Sequence, residues 1–142
     1  MLIRELEKHD VSKLVPLLNQ LGYPTDAEAV QKRFNTLLNH PDYHSLVMEQ
    51  NDQLIGFAGL HNGLFYEANG QYIRVVAFVV DSEYRRMGLG QKLMAYIEGY
   101  AKEKGISTIV LNSGNREERK PAHAFYEQIG FTAKSTGFSK AL

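Results

Sequence analysis

Residues 75–93 constrain this chain most. Val75-Val76-Ala77-Phe78-Val79-Val80 is a continuous apolar run rich in β-branched residues. That pattern predicts a strand covered on both faces. A short segment rich in arginine and glycine follows, from Asp81 to Gly90. Leu89, Leu93, Ile97 and Ala101 then recur every fourth residue, with Lys92, Lys102, Glu103 and Lys104 between or after them. This predicts an amphipathic helix, and Gly105 suits its C-terminus. The stretch thus reads as strand, tight turn and helix in succession.

The turn carries the chemistry. The start of a helix leaves backbone N–H groups without internal partners and places partial positive charge beside them. Gly88 and Gly90 have no side chains to keep a ligand away from those groups. Arg85 and Arg86 add charge and forked donors. Together they predict a phosphate or pyrophosphate site. A nucleotide P-loop would need G-x-x-x-x-G-K-[ST], which does not occur here. A dinucleotide site would need glycine where Leu93 stands, and an acidic residue where the next strand ends at Asn112.

What the segment does spell is R-x-x-G-x-G, from Arg85 to Gly90. It resembles the pyrophosphate-binding motif of the GCN5-related N-acetyltransferase (GNAT) family, whose members bind acetyl-CoA. The lead-in Val79-Val80-Asp81-Ser82-Glu83-Tyr84 is similar as well. A second stretch, Ala122-His123-Ala124-Phe125-Tyr126-Glu127-Gln128-Ile129-Gly130-Phe131, resembles that family's A-x-x-F-Y-x-x-x-G-F motif. Here Phe125 and Ile129, four apart, can anchor a short helix, while the adjacent Tyr126 points about a quarter turn away.

The resemblance implies a mixed central β-sheet flanked by helices, the α/β acyl-CoA N-acyltransferase fold. It implies that Phe78, Val79 and Val80 pair with the pantetheine arm of acetyl-CoA. It also implies that Arg85, Arg86, Met87, Gly88, Leu89, Gly90 and Gln91 hold the pyrophosphate, mostly through main-chain N–H groups. Tyr126 would be the general acid near the CoA sulfur; a packed core tyrosine is the alternative. Acyl transfer from a thioester to a neutral amine needs hydrogen-bond donors for the developing oxyanion and a proton for the departing thiolate. A phenol, with a reference pKa of ~10, is protonated at neutral pH and can supply it. One departure stands out: many relatives carry asparagine seven residues before the tyrosine, and here that position is Arg119. Asn112 and Asn115 are candidate substitutes, Asn115 the favoured one, and Arg119 would then meet a CoA phosphate. Glu67, Glu49, Glu83 and His61 are base candidates by position, each with a solvated surface role as its alternative; a water chain would serve without any of them.

Composition narrows the rest. At 142 residues with 44% hydrophobic content, the chain suits a single domain spanning 1–142. Lys plus Arg and Asp plus Glu balance at 16 each, which argues against long nucleic acid or an anionic membrane as partner. No apolar run is long enough to span a membrane, and residues 1–6 do not read as a signal peptide. There is no cysteine, hence no thiol nucleophile or disulfide, and no G-x-S-x-G elbow. A cytoplasmic location is the expectation. No metal site is expected either: His40 and His44 are four apart, but Pro41 between them argues against a shared helical face.

In chain order, a strand is expected over 2–7. A helix follows, capped by Asp10 or Ser12, with Val11, Leu14, Leu17, Leu18 and Leu21 on one face; Pro16 requires it to start late. A second helix is capped by Thr25 or Asp26, with Thr25 and Glu28 in capping-box spacing. Strands over 43–50 and 53–60 form a hairpin at Asn51-Asp52, with Gly56 and Gly59 marking a bend or close backbone approach. The central strand spans 71–81 and the long helix 88–104. A strand over 107–112 then runs parallel to the central one. Residues 113–120, including Arg116, form a polar loop. Pro121 starts a short helix ending near Gly130, and a last strand covers 131–138.

The implied activity is an acetyl-CoA-dependent N-acetyltransferase acting on a small-molecule or peptide amine. The acceptor would enter beside the loop at 21–24 and the hairpin at 65–67, where Tyr23, Phe65 and Tyr66 form an aromatic wall or pack on neighbouring helices. A non-enzymatic acyl-CoA-binding module is the competing reading, and the retained Tyr126 argues against it. A protein-interaction domain that lost CoA is a third, opposed by the intact glycines. Exposed strand edges or the aromatic hairpin would support a homodimer.

Overall fold

A computed structural model describes residues 1–115 and 117–142; Arg116 of the polar loop lies outside the described residues. The chain divides into two compact units, Met1–Val110 and Leu111–Leu142. A mixed five-stranded sheet takes its strands in chain order, β1 (Leu2–Glu5), β2 (Tyr43–Gln50), β3 (Gln53–Leu64), β4 (Gln71–Val80) and β5 (Ile109–Leu111).

β1 (Leu2–Glu5) pairs antiparallel with β2 (Tyr43–Gln50), Ile3 opposite Met48 and Glu5 opposite Leu46. The strand stops short of the expected Glu7 because Glu7 turns the chain into a 3-10 helix, Lys8–Leu14. The Glu7 N–H donates to Asp10 Oδ2 at 2.8 Å. Asp10 is fully buried and takes both forks of Arg4, at 2.7 and 3.0 Å, while Arg4 Nε reaches Glu49 Oε2 at 3.2 Å. This bidentate pair holds the Asp10 carboxyl down at about 2 and joins β1, the 3-10 helix and β2.

The α-helix proper, α1 (Val15–Leu21), begins only after this segment, with Pro16 in its first turn. There the missing N–H costs nothing. Gly22 closes α1 in the left-handed conformation (φ 106°). α2 (Ala27–Leu37) is capped by Asp26, whose Oδ1 accepts from the Ala29 N–H at 2.9 Å. Thr25 is not the cap: its N–H donates to Asn19 Oδ1 at 2.8 Å.

β2 turns into β3 (Gln53–Leu64) through Asn51 and Asp52, both at positive φ (51° and 62°). Two left-handed residues make the turn whose twist matches the flanking strands. Register shifts fall at Met48/Glu49 and at Gly59/Leu60. At the first, a Cβ on Gly56 would stand 3.1 Å from Met48 Cβ, the close approach expected of a strand glycine.

β4 (Gln71–Val80) pairs antiparallel with β3, Gly56 opposite Val80 and Gly59 opposite Ala77. The second register shift skips Val76, which turns outward and is 58% exposed while Val75 and Val79 are buried. The central strand is therefore not covered on both faces along its whole length, because the bulge expels one residue of the apolar run. One sheet face, through Val47, Phe57 and Val79, packs on Val11, Leu14, Leu17, Val30 and Phe34 of the N-terminal helices. α3 (Leu89–Glu103) touches β3 and β4 and buries the expected stripe Leu89, Leu93, Ile97 and Ala101, together with Met94. At its far end Tyr100 meets the His44 ring at 5.3 Å and Asn62 Nδ2 at 3.4 Å. Burial there lowers the His44 pKa.

β5 is short (Ile109–Leu111), and the Ile73 N–H donates to Thr108 O at 3.0 Å where it begins. In the second unit, a 3-10 turn (Glu117–Arg119) leads into α4 (Lys120–Gln128), with Pro121 in its first turn. No strand forms over 131–138. Beyond the half-buried Phe131 every residue is exposed. Within 132–138 only Ala133 and Phe138 are apolar, so the segment has no face to bury and no drive to pair.

Candidate active site

The segment after β4 is built from bonds that reach well beyond it. The Asp81 N–H continues the ladder by donating to Ile55 O at 2.8 Å. Asp81 Oδ1 accepts from the Glu83 N–H at 2.9 Å, and its carbonyl accepts from the Tyr84 N–H at 2.9 Å. Asp81 thus caps a 3-10 turn, Ser82–Tyr84, with its short side chain. The remaining N–H of that turn, on Ser82, donates to Gln20 Oε1 of α1 at 2.8 Å.

The chain then enters α3 through two left-handed residues, Arg86 (φ 64°) and Gly88 (φ 75°). Gly88 is the helix cap, and no side chain bonds to the exposed N–H groups there. The first helical bond runs from the Lys92 N–H to Gly88 O at 3.1 Å. The amides of Leu89, Gly90 and Gln91 therefore precede the ladder and have no intrahelical acceptor. A Cβ placed on Gly88 would find nothing within 4 Å, so the approach to these amides is open. Arg85, Arg86, Met87, Gly88 and Gln91 are exposed, whereas the Leu89 side chain is core. Leu89 can thus serve a ligand only through its backbone. Arg85 Nε donates to Val80 O at 3.3 Å, tying the end of β4 to the turn. The arrangement, positive backbone ends with arginines alongside, suits an anion.

Among the expected base residues, Glu49 is engaged by Arg4 (3.2 Å) and the His61 ring lies 4.6 Å from that of Tyr43. Glu67 and Glu83 are exposed. Tyr23 is 70% exposed and Tyr66 fully so, while Phe65 packs on Tyr72 at 5.0 Å rather than on a helix. His40 sits against Tyr43 (4.9 Å), and His44 lies in β2, so the two share no helix. Among the described residues no group of three or more His, Cys, Asp or Glu could hold a metal, and no helix is long and apolar enough to cross a membrane.

In the second unit, Tyr126 is buried on α4, its ring 5.5 Å from Phe125 and 5.9 Å from Phe131. Burial raises the phenol pKa, opposed by the charge of Arg119. The loop before α4 is pinned by side chains that sequence spacing did not reveal. A His123 ring nitrogen lies 2.8 Å from Gly114 O, and Arg119 Nε donates to Ser113 Oγ at 3.4 Å. Asn112 and Asn115 are exposed. Asp81 carries a local signal for its role in the turn, since an aspartate at the end of a strand tends to bond the N–H two residues on.

Comparison with known proteins shows the family and the fold. The model of the acetyltransferase (GNAT) family matches residues 9–131. A GNAT family acetyltransferase from Staphylococcus aureus has the same fold, with a TM-score of 0.86 and 33% identity over 99% of this chain and 98% of that one. The glucosamine 6-phosphate N-acetyltransferase of Arabidopsis thaliana is 29% identical over 97% of this chain and 94% of its own length. An aminoalkylphosphonate N-acetyltransferase of Salmonella typhimurium is 26% identical over 89% and 78%.

Proposed function

This chain belongs to the GNAT acetyltransferase family and is an acetyl-CoA-dependent enzyme; from that premise we propose that it acetylates a primary amine of a small molecule by direct attack on bound acetyl-CoA. The observation that carries the reading is the left-handed turn at Arg86 and Gly88 opening onto the uncapped start of α3. Backbone N–H groups and a helix dipole aimed at one open position favour a pyrophosphate. Two of the relatives described above are named for small amines that carry a phosphate or phosphonate, which makes such compounds the first acceptors to try. Peptide amino termini remain the wider class.

Acetyl-CoA supplies the activated acyl group. Residues 86–91 hold the pyrophosphate through their amides, with Arg86 adding charge. Arg85 braces the turn against Val80 and so fixes the end of β4, whose residues Phe78, Val79 and Val80 align the pantetheine arm as an added strand would. The amine attacks as the free base; its nitrogen bonds to the acyl carbon as the carbon–sulfur bond breaks, and the surplus ammonium proton passes to water. Tyr126 gives its phenolic proton to the departing sulfur, which leaves as the thiol, and the tyrosinate takes a proton back from water, so the phenol is restored for the next cycle. Its raised pKa keeps that proton in place across the neutral range. Asn115 contributes to the cofactor arm. Residues 1–142 act as one acetyltransferase domain.

The test is thiol release from acetyl-CoA over a panel of primary amines, wild type against Tyr126→Phe. The account expects turnover with at least one amine, and in the variant a kcat lower by about tenfold or more, the low end for losing a general acid, with acetyl-CoA binding intact. Equal turnover in the variant would refute the role of Tyr126. Acetyl-CoA binding without release over the whole panel would favour an acyl-CoA-binding module instead.

A further inference from the structure

The last turn of α1 carries two neighbouring amides that hold two different loops. Asn19 Oδ1 accepts from the Thr25 N–H at 2.8 Å and so fixes the connection to α2. Gln20 Oε1 accepts from the Ser82 N–H at 2.8 Å, across sixty-two positions of sequence. A backbone N–H can only donate, so each amide must present its oxygen. The Ser82 bond also fills a specific need. Asp81 satisfies the N–H groups of Glu83 and Tyr84 with its side chain and its carbonyl, and Gln20 takes the one N–H of the turn that Asp81 does not. α1 itself is fixed to the core by Leu17 and Leu18. Both amide side chains are otherwise exposed and have no part in the proposed chemistry.

We infer that Gln20 is a positioning residue for acetyl-CoA binding, which couples the α1–α2 loop at 22–26 to the turn at 82–88. The inference rests on the reading of that turn as the acetyl-CoA site. A ligand on the Gly88–Gln91 amides restrains the turn and Ser82 with it. Gln20 passes the restraint to the end of α1, and Asn19 passes it to Thr25. Because coupling is reciprocal, whatever orders the loop tightens acetyl-CoA by the same factor.

The experiment uses the whole chain and two readouts: the Kd of acetyl-CoA by calorimetry, and hydrogen exchange of the amides at 22–26 with and without acetyl-CoA. In wild type, acetyl-CoA slows exchange in the loop. Gln20→Leu removes the acceptor; it raises Kd roughly three- to tenfold, the worth of one ordinary hydrogen bond, and abolishes the slowing. Gln20→Glu keeps an acceptor oxygen and restores both. Ser82→Pro removes the donor instead, at a first-turn position that tolerates proline. It reproduces the Gln20→Leu effect, and the double variant is no worse than either single one. A Gln20→Leu protein with wild-type Kd and wild-type loop protection overturns the coupling, even if it melts lower. A wild type that binds no acetyl-CoA overturns the reading of the site itself, and that outcome is visible before any variant is made.

Discussion

Replacing Gly88 separates the shape of the turn from its charge. Gly88 sits at φ 75°, ψ 12°, with nothing within 4 Å of an added Cβ. Any side chain therefore costs only the left-handed backbone, about 1–2 kcal/mol for an ordinary L-residue. Gly88→Ala should lower Tm by about 5 °C in a domain of this length. Gly88→Glu carries the same strain, but its carboxylate lies at the positive end of α3 and returns about 0.5 kcal/mol. It should therefore melt no lower than the alanine variant. Ligand response should run the other way. Acetyl-CoA at a hundred times Kd stabilises wild type by ~2.7 kcal/mol, a rise of about 10 °C. In Gly88→Glu the new carboxylate competes for the same amides, and the rise should vanish. The assay is thermal melting of the three proteins with and without acetyl-CoA. A full ligand-induced rise in Gly88→Glu would refute the placement of the pyrophosphate at this helix start. A glutamate variant melting far below the alanine one would refute the claim that the position is open.

Three further outcomes follow from the geometry. Asp10, held at about 2 by Arg4 against an ordinary 3.8, is depressed in the fold, so its stabilisation is complete above pH ~4 and is lost as pH falls toward ~2, about 2 kcal/mol in all; acid titration of Tm should show this loss, and Asp10→Ala should cost about 1–3 kcal/mol at neutral pH by leaving the Glu7 N–H and the Arg4 fork without their carboxylate, Arg4 keeping only its bonds to Glu49 and Glu5 O. His44 is also depressed, by burial against Tyr100; its neutral form is favoured in the fold, so stability should decline as pH drops below ~6.5, and His44→Gln should remove that part of the pH dependence. Asp52→Gly, at φ 62° in a hairpin turn that prefers Asn-Gly, should raise stability by about 0.5 kcal/mol, measured by chemical denaturation; a lowered midpoint would contradict the turn assignment.

Local and periodic signals were legible in the sequence. Residues 43–50 and the Asn51-Asp52 turn could be placed because the apolar run Leu46-Val47-Met48 lies just before residues that accept a left-handed turn. The α3 stripe was legible for the same reason, since four-residue spacing shows which side chains share a face. Pro16 correctly required a late helix start, but not that residues 8–14 would be a 3-10 helix held by an Arg4–Asp10 pair. The exposure of Val76 depends on a bulge in β4 itself, set by its register against β3, which no property of Val76 reveals. Residues 131–138 invited a strand by position and element order, although they lack an apolar face. In the candidate site, the motif located Arg85 to Gln91. Only the structure shows Arg85 turned back on Val80 and Leu89 buried as core. The Gln20–Ser82 bond joins residues far apart in sequence, and neither residue type nor spacing advertises it.

The most direct test of the account is a titration of the isotope-labelled wild type with acetyl-CoA, followed by amide NMR. The account predicts saturable shifts that are largest at Gly88, Leu89, Gly90 and Gln91, the amides that precede the α3 ladder. Saturable binding that leaves those four amides unmoved would contradict it.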